Sequence, residues 1–295
     1  MKRHLLSSAL VFVAVSLGLI VLLAASPAFA GLKIRPLFVG GQEPAVIVGG
    51  GNVHEIFKVA AEKWEEVFKN VNGNWDVTIE FGWGNLGTAF FAKVEDEISV
   101  GGNPARIKRG RVVFNNNPGV EPKFFADPTP RDNEEYREFS SRLHDEAQLN
   151  VGRVFTEGTG AAEGSIDLLT IAVHEIGHVL ALHELYAAFP QKCEQPPDPP
   201  PAPVLPPSPG FVIDEDGTAS TCILTLTAPR PHAGLELHVV FGPHLGIFSP
   251  AVNPVMSSHV HEGTRKLISA LDAVAIAEIV SANRPILNGT LPPPF

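Results

Sequence analysis

The run His174-Glu175-Ile176-Gly177-His178 contains residue types that can do metal chemistry. In a helix, a rotation of about 100° per residue places His174 and His178 about 40° apart on one face and one turn apart in height. Both imidazoles can then reach one ion, and zinc accepts neutral imidazole nitrogen atoms as ligands. A carboxylate beside the first ligand can take a proton from an attacking water molecule. The spacing therefore predicts a zinc site with Glu175 as the general base.

The residues around this run favour a buried helix over a solvent-exposed one. Ser165 or Asp167 is expected to start the helix, because both are N-cap residue types. A helix that is apolar on nearly all sides is buried, and buried His and Glu side chains need partners. The alternative is an ordinary helix with two His and one Glu on its solvated face, and the apolar flanks argue against it. These flanking residues are Leu168, Leu169, Ile171, Ala172, Val173, Val179, Leu180 and Leu182.

Periodicity predicts one further helix, and a cap indicates the start of another. Apolar residues recur at three- and four-residue steps over residues 53–70, after Asn52 as an N-cap with Glu55 as its partner. A final helix is expected over 267–276, with Ser269 as the N-cap and Asp272 as its capping partner.

Several strands are predicted between the first two helices. Trp75, Val77, Ile79 and Phe81 alternate with polar residues, which is typical of a half-buried strand. Residues 127–140 are expected to form a turn and then a short helix capped by Asp132. The elements together indicate an α+β domain with a layered arrangement. The other strand candidates are 88–92, 111–114 and 151–155.

Length, charge and the N-terminal residues restrict the class of protein. The 295 residues suffice for one large domain, and the net charge of −10 argues against a nucleic-acid or anionic-membrane partner. A cleaved signal peptide is predicted over 1–30 from Lys2 and Arg3, the apolar run 5–25 and the cleavage site Ala28-Phe29-Ala30. An uncleaved anchor is the alternative. We expect a secreted protein, extracellular or periplasmic depending on its source, without stable membrane association after cleavage.

The remaining chain divides into an N-terminal extension, 31–52, and a main domain, 53–295. A Pro-rich insertion at about 185–252 interrupts this domain, and strands are expected in its second half. In an exported protein Cys193 and Cys222 are expected to form one disulfide, and two unpaired buried thiols are the alternative. Residues 214–218 resemble part of a calcium loop but lack its later Glu, so a Ca²⁺ ion is a weaker prediction than a plain acidic turn.

Three segments carry a resemblance to a known family. They are the His174–His178 helix, the run Asn253-Pro254-Val255-Met256-Ser257 and the final helix. Together they make the chain similar to the metzincin zinc metallopeptidases, closest to the matrixin branch, over roughly 53–279 with the insertion excluded. The resemblance implies a zincin-like fold with a twisted mixed β-sheet, a long N-terminal helix, an active-site helix and a C-terminal helix.

The same resemblance implies an activity. It implies a zinc metalloendopeptidase, expected to be monomeric, that hydrolyses protein or peptide substrates with one catalytic Zn²⁺ and Glu175 as the base. Met256 would form the methionine turn beneath the zinc; the alternative is an ordinary core methionine.

The third zinc ligand departs from the family pattern. The pattern has Gly seven residues and His ten residues after His174, where this chain has Ala181 and Glu184, and His183 stands one residue early. A helix that continued straight would point His183 away from His174, so the chain must turn near Leu182 for His183 to bind. We expect His183 as the ligand; the alternatives are Glu184 or a distant histidine, namely His232, His238, His244, His259 or His261.

These departures leave two other classes of function open. A catalytically degenerate metzincin fold could serve as a binding module. A zinc hydrolase could also act on a non-peptide bond, because the metal motif determines the chemistry better than the substrate.

Overall fold

The computed structural model describes residues 31–71, 74–87, 91–101, 106–117, 123–144, 149–182, 193–194, 211–212, 220–225, 236–241, 254–257 and 259–280. This part of the chain is a mixture of helices and sheets, so the predicted α+β class is confirmed. The helices are α1 (Val53–Val67), α2 (Leu168–Leu180) and α3 (Ala270–Ile279). The strands are β1 (Leu32–Phe38), β2 (Ile47–Val48), β3 (Trp75–Gly84), β4 (Ala92–Gly101), β5 (Arg106–Asn115), β6 (Lys123–Phe125), β7 (Tyr136–His144), β8 (Leu149–Gly158), β9 (Ser165–Asp167), β10 (Cys193–Glu194), β11 (Phe211–Val212), β12 (Ser220–Thr225), β13 (Glu236–Phe241), β14 (His259–Val260) and β15 (Arg265–Leu267).

The largest sheet has the strand order β1-β3-β5-β4. Strands β1, β3 and β5 are parallel, and β4 runs antiparallel to β5 at one edge. Helix α1 lies between β1 and β3 in the chain, as a crossover between parallel strands requires. Its predicted cap is confirmed, because the Asn52 side chain accepts a hydrogen bond from the Glu55 N–H at 2.9 Å. The predicted strand from Trp75 is also confirmed, and it extends to Gly84.

Strand β1 lies in the segment 31–52, which was expected to be an extension outside the main domain. It pairs in register with β3 from Leu32↔Trp75 to Phe38↔Phe81, and Leu32 and Ile34 are buried. The segment is therefore part of the central sheet. Its sequence gives a weak strand signal because Pro36 interrupts it and its partner lies more than 40 residues away.

The short helix predicted within residues 127–140 is wrong, because residues 136–144 form strand β7. This strand pairs antiparallel with β8, and β15 pairs with the other side of β8. Phe139 packs on Phe155 across the pair with ring centroids 4.8 Å apart. The charged residues of this run suggest a helix locally, but the partner strand decides the conformation.

Helix α2 lies against the central sheet near Gly110 of β5. A Cβ atom at Gly110 would stand 2.6 Å from Val179 Cγ1, so only glycine allows this approach. A small parallel sheet, β2-β6-β9, ends at Asp167 and leads directly into α2. The helix that carries the two histidines is thus fixed by the sheet beneath it and by the strand before it.

The Pro-rich insertion contains described strands, one of which pairs with a strand outside it. Strand β11 pairs with β14, and β10-β12-β13 form a three-stranded sheet. In that sheet Cys193 lies opposite Leu224, two residues along β12 from Cys222. The side chains of both cysteines lie outside the described residues, as do residues 1–30 and 214–218, so the disulfide, signal and calcium predictions stay predictions. No helix in the described ranges combines the length and apolar character needed to cross a membrane.

Candidate metal centre

Helix α2 begins at a buried cap and is buried along its whole length. Asp167, one of the two predicted starts, accepts hydrogen bonds from Thr170 N at 2.9 Å and Thr170 Oγ1 at 2.7 Å. Trp64 of α1 donates its indole N–H to the Val173 carbonyl at 2.9 Å. The helix is therefore held against α1 one residue before His174.

The two histidines of α2 face each other through their Nε2 atoms, which are 2.8 Å apart. His174 Nδ1 donates to the Val255 carbonyl at 2.8 Å, and His178 Nδ1 donates to the Leu182 carbonyl at 2.7 Å. A carbonyl oxygen only accepts hydrogen bonds, so these partners assign the ring proton to Nδ1 in both residues. Each neutral ring then directs the Nε2 lone pair towards the other.

This arrangement fits a cation between the two rings. Both side chains are buried, and two facing lone pairs at 2.8 Å repel each other unless a proton or a metal ion lies between them. With zinc–nitrogen distances of about 2.0–2.1 Å, a tetrahedral zinc site holds two ligand nitrogen atoms about 3.3–3.4 Å apart. The two Nε2 atoms lie closer than this, so one ion can reach both if the rings separate slightly. A ligating histidine also characteristically donates its other ring N–H to a carbonyl or carboxylate, as both do here.

Glu175 is fully buried and follows His174 in the first half of the motif. Ionised, it offers two acceptor oxygens, and a carboxylate in such a position can accept a proton and release it again. The structure thus places the three predicted residues His174, Glu175 and His178 on one buried helix.

Met256 lies directly beneath α2. Its side chain is buried, and a Cβ atom at Gly177 would overlap the Met256 sulfur and stand 3.2 Å from Trp64 Cζ2. The residues around Met256 form a turn, in which Ser257 N donates to the Pro254 carbonyl at 3.2 Å. The Val255 carbonyl also accepts a hydrogen bond from His174 Nδ1. This turn therefore contacts α2 at Gly177 and at the His174 ring.

Asp272 holds the turn from below and is a contact that sequence reasoning missed. Its carboxylate accepts hydrogen bonds from Val255 N at 3.2 Å and Met256 N at 3.1 Å. It also accepts from Ser269 N and Oγ, while Ser269 Oγ accepts from Asp272 N, which confirms the predicted capping box of α3. Burial raises the pKa of Asp272, and these hydrogen bonds oppose the increase.

Helix α2 ends before His183, as the predicted binding by His183 requires. Helix α2 ends at Leu180, and the Leu182 N–H donates to the Gly177 carbonyl at 3.3 Å. Ala181 has φ −169° and ψ −26°, so the turn needs no left-handed conformation and no glycine. This explains how alanine occupies the position at which the family pattern has glycine.

Most of the residues predicted as the third ligand lie outside the part of the chain that the structure describes. His183, Glu184, His232 and His244 lie outside the described ranges, and the His238 side chain is likewise not described. Within the described residues, which include His259 and His261, no group of three His, Cys, Asp or Glu side chains is arranged to hold a metal ion. His174 and His178 are the two predicted ligands that the structure brings together.

Strand β15 places two buried basic residues next to this centre, and no sequence pattern indicated either of them. Lys266 donates its backbone N–H to Thr170 Oγ1 at 3.0 Å and its ammonium group to the His259 carbonyl. Burial lowers the pKa of Lys266 to about 7, and the Asp272 charge partly opposes this change. Its neighbour Arg265 is fully buried and bonds to Asp167, the cap of α2.

Comparison of the chain with protein-family models, curated proteins and solved structures found no match.

Proposed function

We propose that this chain is an exported zinc-dependent metalloendopeptidase of the metzincin type. The observation that carries the proposal is the contact between His174 Nε2 and His178 Nε2 at 2.8 Å, with both Nδ1 atoms bonded to backbone carbonyls. The buried Glu175 and the methionine under the helix support the same reading.

In this proposal each residue has a separate task. His174 and His178 would hold the ion, and the Val255 and Leu182 carbonyls keep their rings oriented for it. When bound, zinc supplies a Lewis acid that polarises the scissile carbonyl and makes a water molecule more acidic. The Glu175 carboxylate takes one proton from the attacking water and later transfers it to the leaving amine nitrogen. Because this region is buried, bulk water does not compete for these groups.

The third ligand completes the proposed site. We propose His183, with Glu184 as the next choice, because the chain leaves α2 at Ala181 and Leu182 immediately before them. Imidazole and carboxylate are both accepted by catalytic zinc, and such a site uses three protein ligands.

A degenerate metzincin that binds a partner without hydrolysis is the second candidate. Ala181 and Glu184 favour it, since they replace the Gly and His of the family pattern. The two candidates differ in one observable property, because a binding module would hold zinc and cleave no bond.

The test is the substitution Glu175→Gln. It keeps the size and shape of the side chain but removes its ability to accept a proton, so casein hydrolysis should fall by about 100-fold to 10,000-fold. Zinc content should remain that of the wild type, because Glu175 is not a proposed ligand.

Two results would count against this proposal. A Glu175→Gln variant as active as the wild type would exclude Glu175 as the general base. A zinc-loaded wild-type protein that cleaves neither casein nor any member of a broad peptide library would favour the binding module or a hydrolase of non-peptide bonds.

A further inference from the structure

Arg265 is a buried arginine that lies within a group of hydrogen bonds in the described interior. Its side chain is fully buried in β15, and all five N–H groups have acceptors. Nε and Nη2 donate to the two Asp167 carboxylate oxygens at 3.0 and 2.9 Å, and Nη2 also donates to Asp127 Oδ2 at 2.5 Å. Nη1 donates to the Asp132 carbonyl at 2.8 Å and to Asn133 Oδ1 at 3.2 Å. We call these residues the Arg265 cluster.

The cluster bonds directly to the start of α2. Asp167 is bidentate to Arg265 and is at the same time the N-cap that accepts from Thr170 N and Oγ1. Thr170 Oγ1 in turn accepts the backbone N–H of Lys266, the residue after Arg265. The first turn of α2 is therefore fixed to β15 at two points. His174 lies one helical turn beyond Thr170, so a rotation of this first turn would move its imidazole.

The same strand also leads to the other support of His174. Two residues after β15, Ser269 begins the capping box with Asp272, and Asp272 holds the backbone of Val255 and Met256. The Val255 carbonyl then accepts from His174 Nδ1. Arg265 therefore lies on the strand that joins both supports of His174. One support is the start of α2 at Asp167, and the other is the Val255 carbonyl.

Stability alone is a weak explanation for such a cluster. Two carboxylates and one guanidinium are completely buried here. Apolar residues of similar volume in place of such a buried ionic group often stabilise a fold equally well. What a planar guanidinium provides in addition is direction, because five donors in one plane fix the position of every acceptor. Lysine has the same charge but no such geometry.

We propose that Arg265 is a positioning residue for the histidine pair: its bidentate contact with Asp167 sets the rotation of α2 and hence the direction of His174 Nε2 and His178 Nε2. The inference rests on the proposed function in that the pair is taken to bind zinc. It adds a residue that touches neither the ion nor substrate.

The experiment compares Arg265→Lys with Arg153→Lys in the purified full chain. Arg153 is the matched control, because it is a buried arginine on the neighbouring strand β8 whose Nη1 donates to the Ile268 carbonyl. Zinc affinity is measured by competition with a chelator, at a temperature at which circular dichroism shows both variants folded. We expect Arg265→Lys to weaken zinc binding by about tenfold, the lower end of the range for indirect partners of a ligand, and Arg153→Lys to change it less than about twofold.

A second, metal-free readout keeps the inference separate from the proposed function. In ¹⁵N spectra of histidine-labelled protein, Arg265→Lys should shift the His174 Nδ1 resonance because its bond to Val255 changes, and Arg153→Lys should not.

If the wild type binds no zinc, the proposed function fails and the spectra alone decide the role of Arg265. If Arg265→Lys does not fold, Thr170→Val breaks the link to Lys266 while Arg265 stays in place, and it should show the same two effects. Wild-type zinc affinity together with an unshifted His174 resonance in the folded variant would overturn the inference.

Discussion

At the residue scale, the assignment depends on which atom of each imidazole carries the proton. Both Nδ1 atoms have carbonyl acceptors, so the two Nε2 atoms face each other with their lone pairs, and neither ring can rotate without breaking a buried hydrogen bond. The spacing of the two histidines was readable from the sequence. The carbonyls of Val255 and Leu182 were not, because backbone acceptors carry no residue-type signal and Val255 lies 81 residues from His174.

The contact between Gly177 and Met256 gives a prediction at this scale. Gly177→Ala should destabilise the fold by about 1–3 kcal/mol because its methyl group overlaps the Met256 sulfur. Met256→Ala should cost about 2–5 kcal/mol through the cavity it leaves. In the double variant the new methyl group enters the space that Met256 vacates. The loss in the free energy of unfolding, measured by urea titration, should therefore be smaller than the sum of the two single losses.

The control pairs Gly177→Ala with Leu32→Ala. Leu32 is buried in β1, at the opposite edge of the sheet from β4, so these two losses should add. Full additivity of the Gly177 and Met256 substitutions would show that the two side chains do not meet in this way.

At the element scale, helices were more predictable than strands. The caps predicted at Asn52, Asp167 and Ser269 mark the starts of all three described helices, because a helix start is determined by residues close in the chain. Strand β7 was taken for a helix because its charged residues suggest one locally, and its pairing with the neighbouring strand β8 decides the conformation. Strand β1 was missed because its partner β3 lies more than 40 residues away in the chain. The Arg265 cluster was invisible for the same reason, with partners 98 and 138 residues away.

The bond between α3 and the turn at Met256 can be tested separately from the cap of α3. Ser269→Ala removes the capping hydroxyl and should cost about 1 kcal/mol with little effect on zinc affinity. Asp272→Asn turns one acceptor atom into a donor that faces a buried N–H group. This substitution should lower the free energy of unfolding by about 1–3 kcal/mol. Because it also loosens the Val255 carbonyl, we expect zinc binding to weaken about tenfold.

Thermal unfolding and chelator competition measure the two effects on the same samples. Equal zinc affinity in Asp272→Asn and Ser269→Ala would mean that the turn holds His174 without help from Asp272.

At the scale of the whole molecule, the fold places a buried cationic group where stability must depend on pH. The pKa of Lys266 is lowered to about 7 by burial, whereas its ordinary value is 10.5. Between these two values the unfolded chain binds more protons than the folded one, so stability rises as pH increases from about 7 to 10.5. Below about pH 7 both states are protonated, and the full cost of the buried charge is present.

Replacing Lys266 by methionine should remove this dependence. The free energy of unfolding of the wild type minus that of Lys266→Met should increase between pH 7 and 10 by up to a few kcal/mol, since one pKa unit corresponds to about 1.4 kcal/mol. Taking the difference cancels the titration of Lys63, whose pKa is also lowered to about 8, chiefly by burial. Urea titrations at a series of pH values provide the measurement. A difference that stays constant or falls with pH would contradict the assigned burial of the ammonium group.

The central claim is that His174 and His178 bind one zinc ion with a third ligand that follows α2. The most direct measurement is the zinc content of the purified chain, determined for the wild type, His178→Ala, His183→Ala and Glu184→Ala with casein hydrolysis alongside. We predict one zinc per chain in the wild type, loss of zinc and activity in His178→Ala, and the same loss in His183→Ala but not in Glu184→Ala. Loss in Glu184→Ala alone would transfer the third position to the carboxylate. A wild-type protein without zinc, or a His178→Ala variant that keeps it, would contradict the account.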